Sequence, residues 1–214
     1  MSARATQTRR RTRIQQENER KIITAALDVF ADKGFRGASL DDIAAAAGMS
    51  KPNMLYYFSG KEEIHLTLLS RLLEDWLAPL STLDPDGDPF EEIANYIRLK
   101  LKMAREFPRE SRLFANEILR GAPHIGGYLS SDLKKKVDAQ SAVLQRWIDQ
   151  GRIAAVDPRH LIFVIWATTQ HYADFDAQVG AVLAGADETR FEDAERTVLT
   201  LILGGLRPIS PPTP

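Results

Sequence analysis

The chain has 214 residues, of which 44% are hydrophobic and 27% are charged. These values are ordinary for a globular protein and exclude collagen-like, coiled-coil-only and wholly disordered chains. The sequence contains no cysteine, which excludes disulfides, thiolate metal centres and cysteine nucleophiles. Its longest apolar run, from Leu161 to Ala167, is far shorter than the roughly 18 residues of a membrane span. No signal peptide is evident, so we expect a cytoplasmic protein with no membrane partner.

Charge is distributed unevenly along the chain. Residues 1–60 carry 10 basic and 6 acidic side chains (+4), whereas residues 61–214 carry 18 and 23 (−5). Most of the positive excess lies within the first 21 residues. Such a segment is typical both of an arm that lies along DNA phosphates and of a solvated tail. We expect residues 1–14 to form a disordered basic arm, and its contact with DNA stays open.

Helical periodicity recurs throughout, and no stretch shows the alternation of a strand, so the sequence predicts an all-α fold with about nine helices. An apolar stripe over residues 15–33 predicts a first helix that Gly34 ends. Ser39 with Asp42 resembles a capping box, and the helix it opens stops at Gly48. Ser50 caps a further short helix that extends through Phe58.

The later helices have equally clear start signals. Ser59 with Glu62 opens a long helix that reaches Leu80, and residues 81–89 form a linker. The Asp-Pro pairs at 88–89 and 157–158 begin two more helices. Further helices are predicted at about 109–120, 131–150 and 188–204. We expect domains at 15–60 and 61–206 and a disordered proline-rich tail at 207–214.

Residues 39–58 have the spacing of a helix-turn-helix, with two short helices joined by a tight turn. Ile43, Met54 and Leu55 are predicted to form the buried contact between these helices. Side chains of the second helix then face the major groove, and residues at the starts of neighbouring helices contact phosphates. The candidate DNA-binding residues are Ser39, Lys51, Asn53, Tyr56, Tyr57 and Lys61. The alternative is a plain helical bundle in which the tyrosines belong to the core.

The run from Ala26 through Lys61 resembles the N-terminal domain of the TetR family of transcriptional regulators. The resemblance lies in the F-x-x-x-G-F motif that ends at Phe35, the Gly-Met-Ser turn, and LYYF followed by K-E-E. The chain departs from the family at Ser59-Gly60, where proline and serine are usual. The resemblance implies a sequence-specific regulator that binds double-stranded DNA as a homodimer.

The second half of the chain resembles a pyrimidine-sensing branch of the same family. The similar segments are WLAPL (76–80), YIRLKL (96–101), SRLFANEILRGAP (111–123) and VDPRHLIFVIWATTQHYADFDAQVGAV (156–182). This resemblance implies a repressor of pyrimidine metabolism whose DNA affinity falls when uracil or a related pyrimidine binds. The alternative is a TetR-type regulator that responds to a different small planar effector.

A pyrimidine dione presents two flat faces, two N–H donors and two carbonyl acceptors, so its pocket requires aromatic walls and an amide. Trp166 and Gln170 are four residues apart and share one helix face. Side chains from two other helices are expected to close the pocket, namely Trp76, Phe114 and Glu117. The alternative assigns the two tryptophans to the hydrophobic core.

The assembly is predicted from two helices near the end of the chain. The segment Leu161–Ala167 is apolar on every side, which a helix needs only when both its sides are covered. We expect one side to face the pocket and the other a second subunit. The last helix is expected to complete this interface with Phe191, Val198, Leu199, Ile202 and Leu203. A twofold dimer then reads a palindromic operator.

Communication between the two sites is assigned to the helix that starts near Ser59. It carries Lys61 at one end and Trp76 near the other, roughly 22 Å apart at 1.5 Å per residue. We expect effector binding to shift this helix and to change the spacing of the recognition helices.

An enzyme is the rival class, and its motifs are missing from the sequence. The four histidines are scattered without an H-E-x-x-H motif, and neither G-x-S-x-G nor a phosphate-binding loop occurs. No catalytic residue, metal site or cofactor is therefore expected. A helical module that binds DNA without sequence preference is a third interpretation.

Overall fold

The computed structural model describes residues 12–183 and 189–208. In these ranges the chain is helical and has no strand, which confirms the all-α prediction. Ten α-helices of the described ranges have five residues or more, against about nine predicted, and α10 is the helix that the sequence did not separate. The helices are α1 (Arg13–Gly37), α2 (Leu40–Ala46), α3 (Lys51–Leu55), α4 (Lys61–Leu77), α5 (Pro89–Glu106), α6 (Pro108–Leu119), the short α7 (Gly126–Tyr128), α8 (Lys134–Asp149), α9 (Pro158–Asp174), α10 (Asp176–Leu183) and α11 (Arg190–Gly205).

The predicted terminal segments are only partly covered. Residues 1–11 of the basic arm and 209–214 of the tail lie outside the described residues. Thr12 caps α1 through a capping box with Gln15, so Arg13 and Ile14 belong to the helix and the arm is shorter than predicted. The chain forms two compact units, Met1–Leu68 and Leu69–Pro214.

In the first unit, local hydrogen bonds set the ends of the short helices. Ser39 and Asp42 form the predicted capping box at α2, and Ser50 caps α3. Gly34 and Gly48 have φ values of 66° and 67°, which an L side chain rarely adopts. Gly34 thus lets the backbone leave the helical path near the end of α1, and Gly48 lets the chain turn between α2 and α3.

The core of the first unit includes Phe30, Ile43 and Met54, all at most 1% exposed. Leu55 is 40% exposed, so its predicted place in the core is wrong. The reason is that α3 ends at Leu55, three residues earlier than predicted, and the chain turns through Tyr56. Met54 alone therefore carries the apolar contact from α3.

The second unit is built around α5 and α9, which start at the predicted Asp-Pro pairs with the aspartate accepting backbone N–H bonds. Its core extends from Ile97 through Trp147 to Ile165. The predicted linker at 81–89 is instead an ordered loop of this unit. Trp147 Nε1 donates to Pro85 O at 3.0 Å, and Arg152 donates to Gly87 O at 2.6 Å. None of the helices in the described ranges is long and apolar enough to cross a bilayer.

Candidate DNA-binding and effector sites

The start of α2 is a compact hydrogen-bonded group. Asp42 N donates to Ser39 Oγ at 3.1 Å, and Ser39 N donates to Asp42 Oδ2 at 3.0 Å. Lys33 Nζ donates to the same carboxylate at 2.7 Å. The Lys33 ammonium and the Ser39 donors together lower the pKa of Asp42 to about 2. These bonds hold the start of α2 in place, and Ser39 remains exposed there.

The α3 surface presents Lys51 and Asn53. Asn53 is exposed, and Lys51 Nζ forms an ion pair with Asp41 Oδ2 at 2.9 Å. The Lys51 side chain is 43% exposed and that of Asp41 is 71% exposed. An ion pair this exposed contributes little to stability, so the lysine can exchange Asp41 for another anion at low cost.

Both tyrosines that follow α3 are oriented by amides of α1. Asn18 Nδ2 donates to the Tyr57 hydroxyl at 2.8 Å, and Gln15 Nε2 donates to the Tyr56 hydroxyl at 3.3 Å. Tyr56 is 71% exposed, so it is not a core residue. Because each hydroxyl oxygen accepts from α1, its own O–H is left to donate, and a phosphate oxygen is a suitable acceptor.

Lys61, at the start of α4, is turned toward the chain. Its Nζ donates to Phe35 O and Ala38 O, both at 2.8 Å, and lies 4.6 Å from the Phe35 ring centroid. Two of its three N–H groups are thus used in holding the end of α1. The predicted phosphate contact has one N–H available to it. Ser59 is bonded to Glu63 and not to the predicted Glu62, since its N and Oγ lie 2.6 and 2.7 Å from Glu63 Oε2.

In the second unit, Trp166 and Gln170 lie on α9 as predicted. Trp166 is half-buried, and its Nε1 donates to the hydroxyl of Tyr96 at 2.6 Å. Burial raises the pKa of that hydroxyl well above its usual value. The Gln170 amide is half-buried and has no hydrogen bond to the part of the chain that the structure describes.

Trp76 lies against the α5 face that carries Tyr96. The buried Lys100 is one helical turn from Tyr96, and its Nζ lies 4.5 Å from the Trp76 ring centroid. Trp76 and Trp166, both predicted in the effector site, therefore each contact a residue of α5. Nearby in the sequence of α9, the Asp174 carboxylate accepts a hydrogen bond from Ser111 Oγ.

Phe114 and Glu117 both lie on α6. Phe114 is half-buried, three residues after Ser111. Glu117 is buried and accepts a hydrogen bond from His124 N at 2.7 Å, with His124 Nδ1 3.0 Å from its other oxygen. The Glu117 carboxylate thus fixes the turn after α6.

An apolar groove runs between α9 and α11. It is lined by Val164 and Leu201, which are 48% and 70% exposed. The outward side of the Leu161–Ala167 segment is therefore uncovered within one chain. On the last helix, Phe191, Val198 and Ile202 are at most 9% exposed in the single chain, and Leu199 and Leu203 pack against the core. Val198 and Ile202 also line the groove, so the interface on this helix stays a prediction.

Comparison with known proteins matches both units. The family described as bacterial regulatory proteins, tetR family, matches residues 22–67, and the one described as YcdC-like protein, C-terminal region, matches residues 69–209. The chain is 45% identical over 203 residues to the HTH-type transcriptional regulator RutR of Escherichia coli (strain K12), covering 94% of this chain and 96% of the relative. This chain belongs to the TetR family of transcriptional regulators.

Other TetR-family proteins are similar over part of the sequence or in fold. The transcriptional activator FasR of Mycolicibacterium smegmatis is 38% identical over 68 residues, which is 31% of each chain. A TetR-like regulator from Rhodococcus sp. RHA1 has a TM-score of 0.68 at 22% identity, over 92% of this chain and 98% of that one. AibR in complex with isovaleryl coenzyme A and operator DNA has a TM-score of 0.67 at 19% identity, over 86% and 97%. These structures share the TetR fold.

As a TetR-family member close to RutR, the protein is a DNA-binding transcriptional regulator and not an enzyme. Regulators of the family bind operator DNA and small-molecule effectors and are typically dimers. The helix-turn-helix interpretation of residues 39–58 is therefore correct at the level of the family.

Several residues around these sites were missed in the sequence. Asp41 holds Lys51 of α3, and Gln15 and Asn18 hold the two tyrosines that follow α3, but hydrogen bonds across the fold leave no local pattern. Lys100 did leave a signal, because it falls in the apolar stripe of α5 where a charged residue is out of place.

Proposed function

We propose that this protein is a homodimeric repressor of pyrimidine metabolism that releases its operator when uracil or a closely related pyrimidine binds. The effector is assigned from the resemblance of the second half of the chain to pyrimidine-sensing regulators. A bacterial regulator that binds operator DNA works in the cytoplasm, and we assign this protein to that compartment.

The observation that carries the effector assignment is that Trp166 and Gln170 lie four residues apart on one face of α9. The indole offers a flat apolar face to the pyrimidine ring. The Gln170 amide offers one acceptor and two donors and has no bond to a described residue. The edge of a pyrimidine dione alternates carbonyl and N–H groups, so it can bond both the acceptor and the donors of this amide. Trp76 is a second flat wall, and Phe114 and Glu117 are the remaining candidates.

We assign operator recognition to the α3 surface and its neighbours. Lys51 and Asn53 are placed to read base edges, and Tyr56 and Tyr57 to donate to the backbone. Ser39 and Lys61 are assigned to flanking phosphates, with Lys61 limited to its remaining N–H. We expect a palindromic operator because a homodimer presents two such surfaces related by a twofold axis.

The dimer is proposed to form through the groove between α9 and α11, where Val164 and Leu201 are exposed. Burying exposed apolar side chains against the same surface of a second copy yields the twofold contact of a homodimer. Most side chains that line the groove are apolar, among them Leu161, Val198 and Ile202, and the polar ones are Asp157, His160 and Thr168.

Coupling between effector and operator is assigned to α4, a single helix from Lys61 to Leu77. Trp76 lies near its end and Lys61 at its start, and we expect the effector to shift this helix and change the spacing of the recognition helices. A coupling of about 1–3 kcal/mol, typical of linked sites, weakens operator binding roughly 5- to 150-fold.

Calorimetry of the purified protein against uracil, thymine, cytosine and hypoxanthine tests the effector. We expect uracil to bind, and uracil to lower operator affinity at fixed salt. Binding of hypoxanthine but of no pyrimidine would favour a different planar effector. The Gln170→Ala variant is expected to lose base binding and keep operator binding, while Lys51→Ala does the reverse.

Footprinting on a palindromic operator tests the DNA side. Protection confined to one palindrome is expected for a dimeric repressor, whereas protection that moves freely with sequence indicates a non-specific module. A reporter gene downstream of the operator decides the direction of control. Expression is expected to rise when uracil is added.

A further inference from the structure

Lys100 is a buried cation without a hydrogen-bond acceptor in the described part of the chain. It is 3% exposed and lies on the α5 face formed by residues such as Ile97, Leu101 and Ala104. Its Nζ lies over the Trp76 ring at 4.5 Å, and no described residue accepts a bond from its three N–H groups. Burial lowers its pKa to about 8. A buried ammonium in this condition is costly unless something else accepts its hydrogen bonds.

Asp174 is the acidic group that attracts this lysine. Its half-buried carboxylate accepts a hydrogen bond from Ser111 Oγ. Asp174 and Lys100 attract each other electrostatically, yet they do not come within the 4.0 Å of an ion pair. Arg112 and His171 also act on Asp174 through their charge. Ala104, one helical turn after Lys100, and Ala173, next to Asp174, belong to one buried cluster. The second unit thus holds a donor-only group and an acceptor group on neighbouring helices that do not form an ion pair with each other.

A donor-only ammonium and an acceptor carboxylate suit a particular chemical edge. A cyclic amide places a carbonyl oxygen and an N–H on adjacent ring atoms, so the oxygen accepts from an ammonium while the N–H donates to a carboxylate. Both bonds involve a charged protein group, which makes them stronger than bonds between neutral groups. The Trp76 ring beside Lys100 provides an apolar face for the same ligand.

We propose that Lys100 and Asp174 bind the cyclic-amide edge of the effector, Lys100 donating to a ring carbonyl oxygen and Asp174 accepting from the neighbouring ring N–H. This inference rests on the proposed function and adds two residues to its site. Trp166 Nε1 is already bonded to Tyr96, so the indole supplies a wall while the polar recognition falls to Lys100, Asp174 and Gln170.

The inference predicts which ligands are rejected. The ring of 1,3-dimethyluracil keeps both carbonyl oxygens but has lost both N–H groups, so it satisfies Lys100 and gives Asp174 no ring donor. Its N-methyl group would also stand against the half-buried carboxylate, which keeps only its bond from Ser111. The full-length chain is therefore expected to bind 1,3-dimethyluracil at least about tenfold more weakly than uracil.

Calorimetry with uracil on full-length variants tests the residues. Lys100→Met keeps most of the length of the side chain and removes its donors, and we expect at least about a tenfold loss of uracil affinity. The matched control is Lys102→Met, since Lys102 lies on the same helix and its side chain is 65% exposed. That control is expected to bind uracil within about twofold of the wild type.

Asp174→Asn is the second variant and tests the acceptor even if Lys100→Met fails to fold. It is expected to weaken uracil at least about fivefold and to reduce the preference for uracil over 1,3-dimethyluracil. Uracil binding within twofold of wild type in a folded Lys100→Met or Asp174→Asn variant overturns the inference. Absence of uracil binding to the wild-type chain overturns the proposed effector, and the inference with it.

Discussion

Trp166 donates its indole N–H to the hydroxyl of Tyr96 at 2.6 Å, across 70 residues of sequence. The bond joins α9 to α5 and fixes the plane of the indole, because Tyr96 is 2% exposed and cannot turn away. The bond therefore holds the Trp166 ring in one orientation, as a wall of the proposed effector site.

Replacing Tyr96 with Phe removes the acceptor and leaves a partly buried indole N–H unsatisfied. We expect the variant to lose about 1–3 kcal/mol of unfolding free energy, measured by urea denaturation. The double variant Tyr96→Phe with Trp166→Phe removes both partners, and its loss is expected to be smaller than the sum of the two single losses. Additive losses would show that the two side chains are not coupled.

The ion pair between Asp41 and Lys51 holds the lysine away from a DNA partner. Asp41→Asn frees Lys51 and removes a negative charge from the DNA-binding surface, so operator affinity is expected to rise several-fold at low salt. Lys51→Ala is expected to weaken operator binding by about 1–3 kcal/mol, or roughly tenfold and more. Fluorescence anisotropy with labelled operator measures both.

Asp86→Asn is the matched control for this prediction. Asp86 is 76% exposed and pairs with Arg146 at 2.8 Å, so its ion pair is much like that of Asp41, but it belongs to the second unit. Its operator affinity is expected to equal that of the wild type. Equal affinities for Asp41→Asn and Asp86→Asn would show that Lys51 does not act in DNA binding.

Stability depends on pH through Lys100. Its folded pKa is about 8, below the ordinary value of 10.5, because burial disfavours the charged form and the attraction of Asp174 only partly offsets this. Between these two pKa values the unfolded chain binds more protons than the folded chain, so stability rises with pH. Relative to Lys100→Met, the wild type is expected to gain up to about 3 kcal/mol between pH 7 and pH 10.5.

Urea denaturation of both proteins at pH 7, 8.5 and 10 measures this difference. Comparing the two chains cancels the titration of groups they share. A difference in unfolding free energy that stays constant over this range would mean that Lys100 titrates as it does in water.

The groove between α9 and α11 predicts the effect of a charge at Leu201. Leu201→Glu places a carboxylate in the proposed interface, where it would be buried without a partner, so the dimer is expected to dissociate. Light scattering after size-exclusion chromatography gives the mass. Leu119→Glu is the control, since Leu119 is 82% exposed on α6 and does not line the groove. A Leu201→Glu variant that stays dimeric places the interface elsewhere.

The helical class, most helix starts and the helix-turn-helix could all be predicted from the sequence. Each of these depends on interactions between residues a few positions apart, such as Ser39 with Asp42, so the information is local. The DNA-binding family could also be recognised from the sequence, because its motif is one continuous run of residues.

Tertiary structure alone decided the partners of the functional side chains. Lys61 is tied to Phe35 O, Tyr57 to Asn18, and Trp166 to Tyr96, over 26, 39 and 70 residues of sequence. It also placed Leu55 at the surface although the sequence predicted it in the core. The physical reason is that these contacts depend on how helices pack against one another, and helix packing fixes neighbours that no local hydrogen bond or apolar repeat encodes.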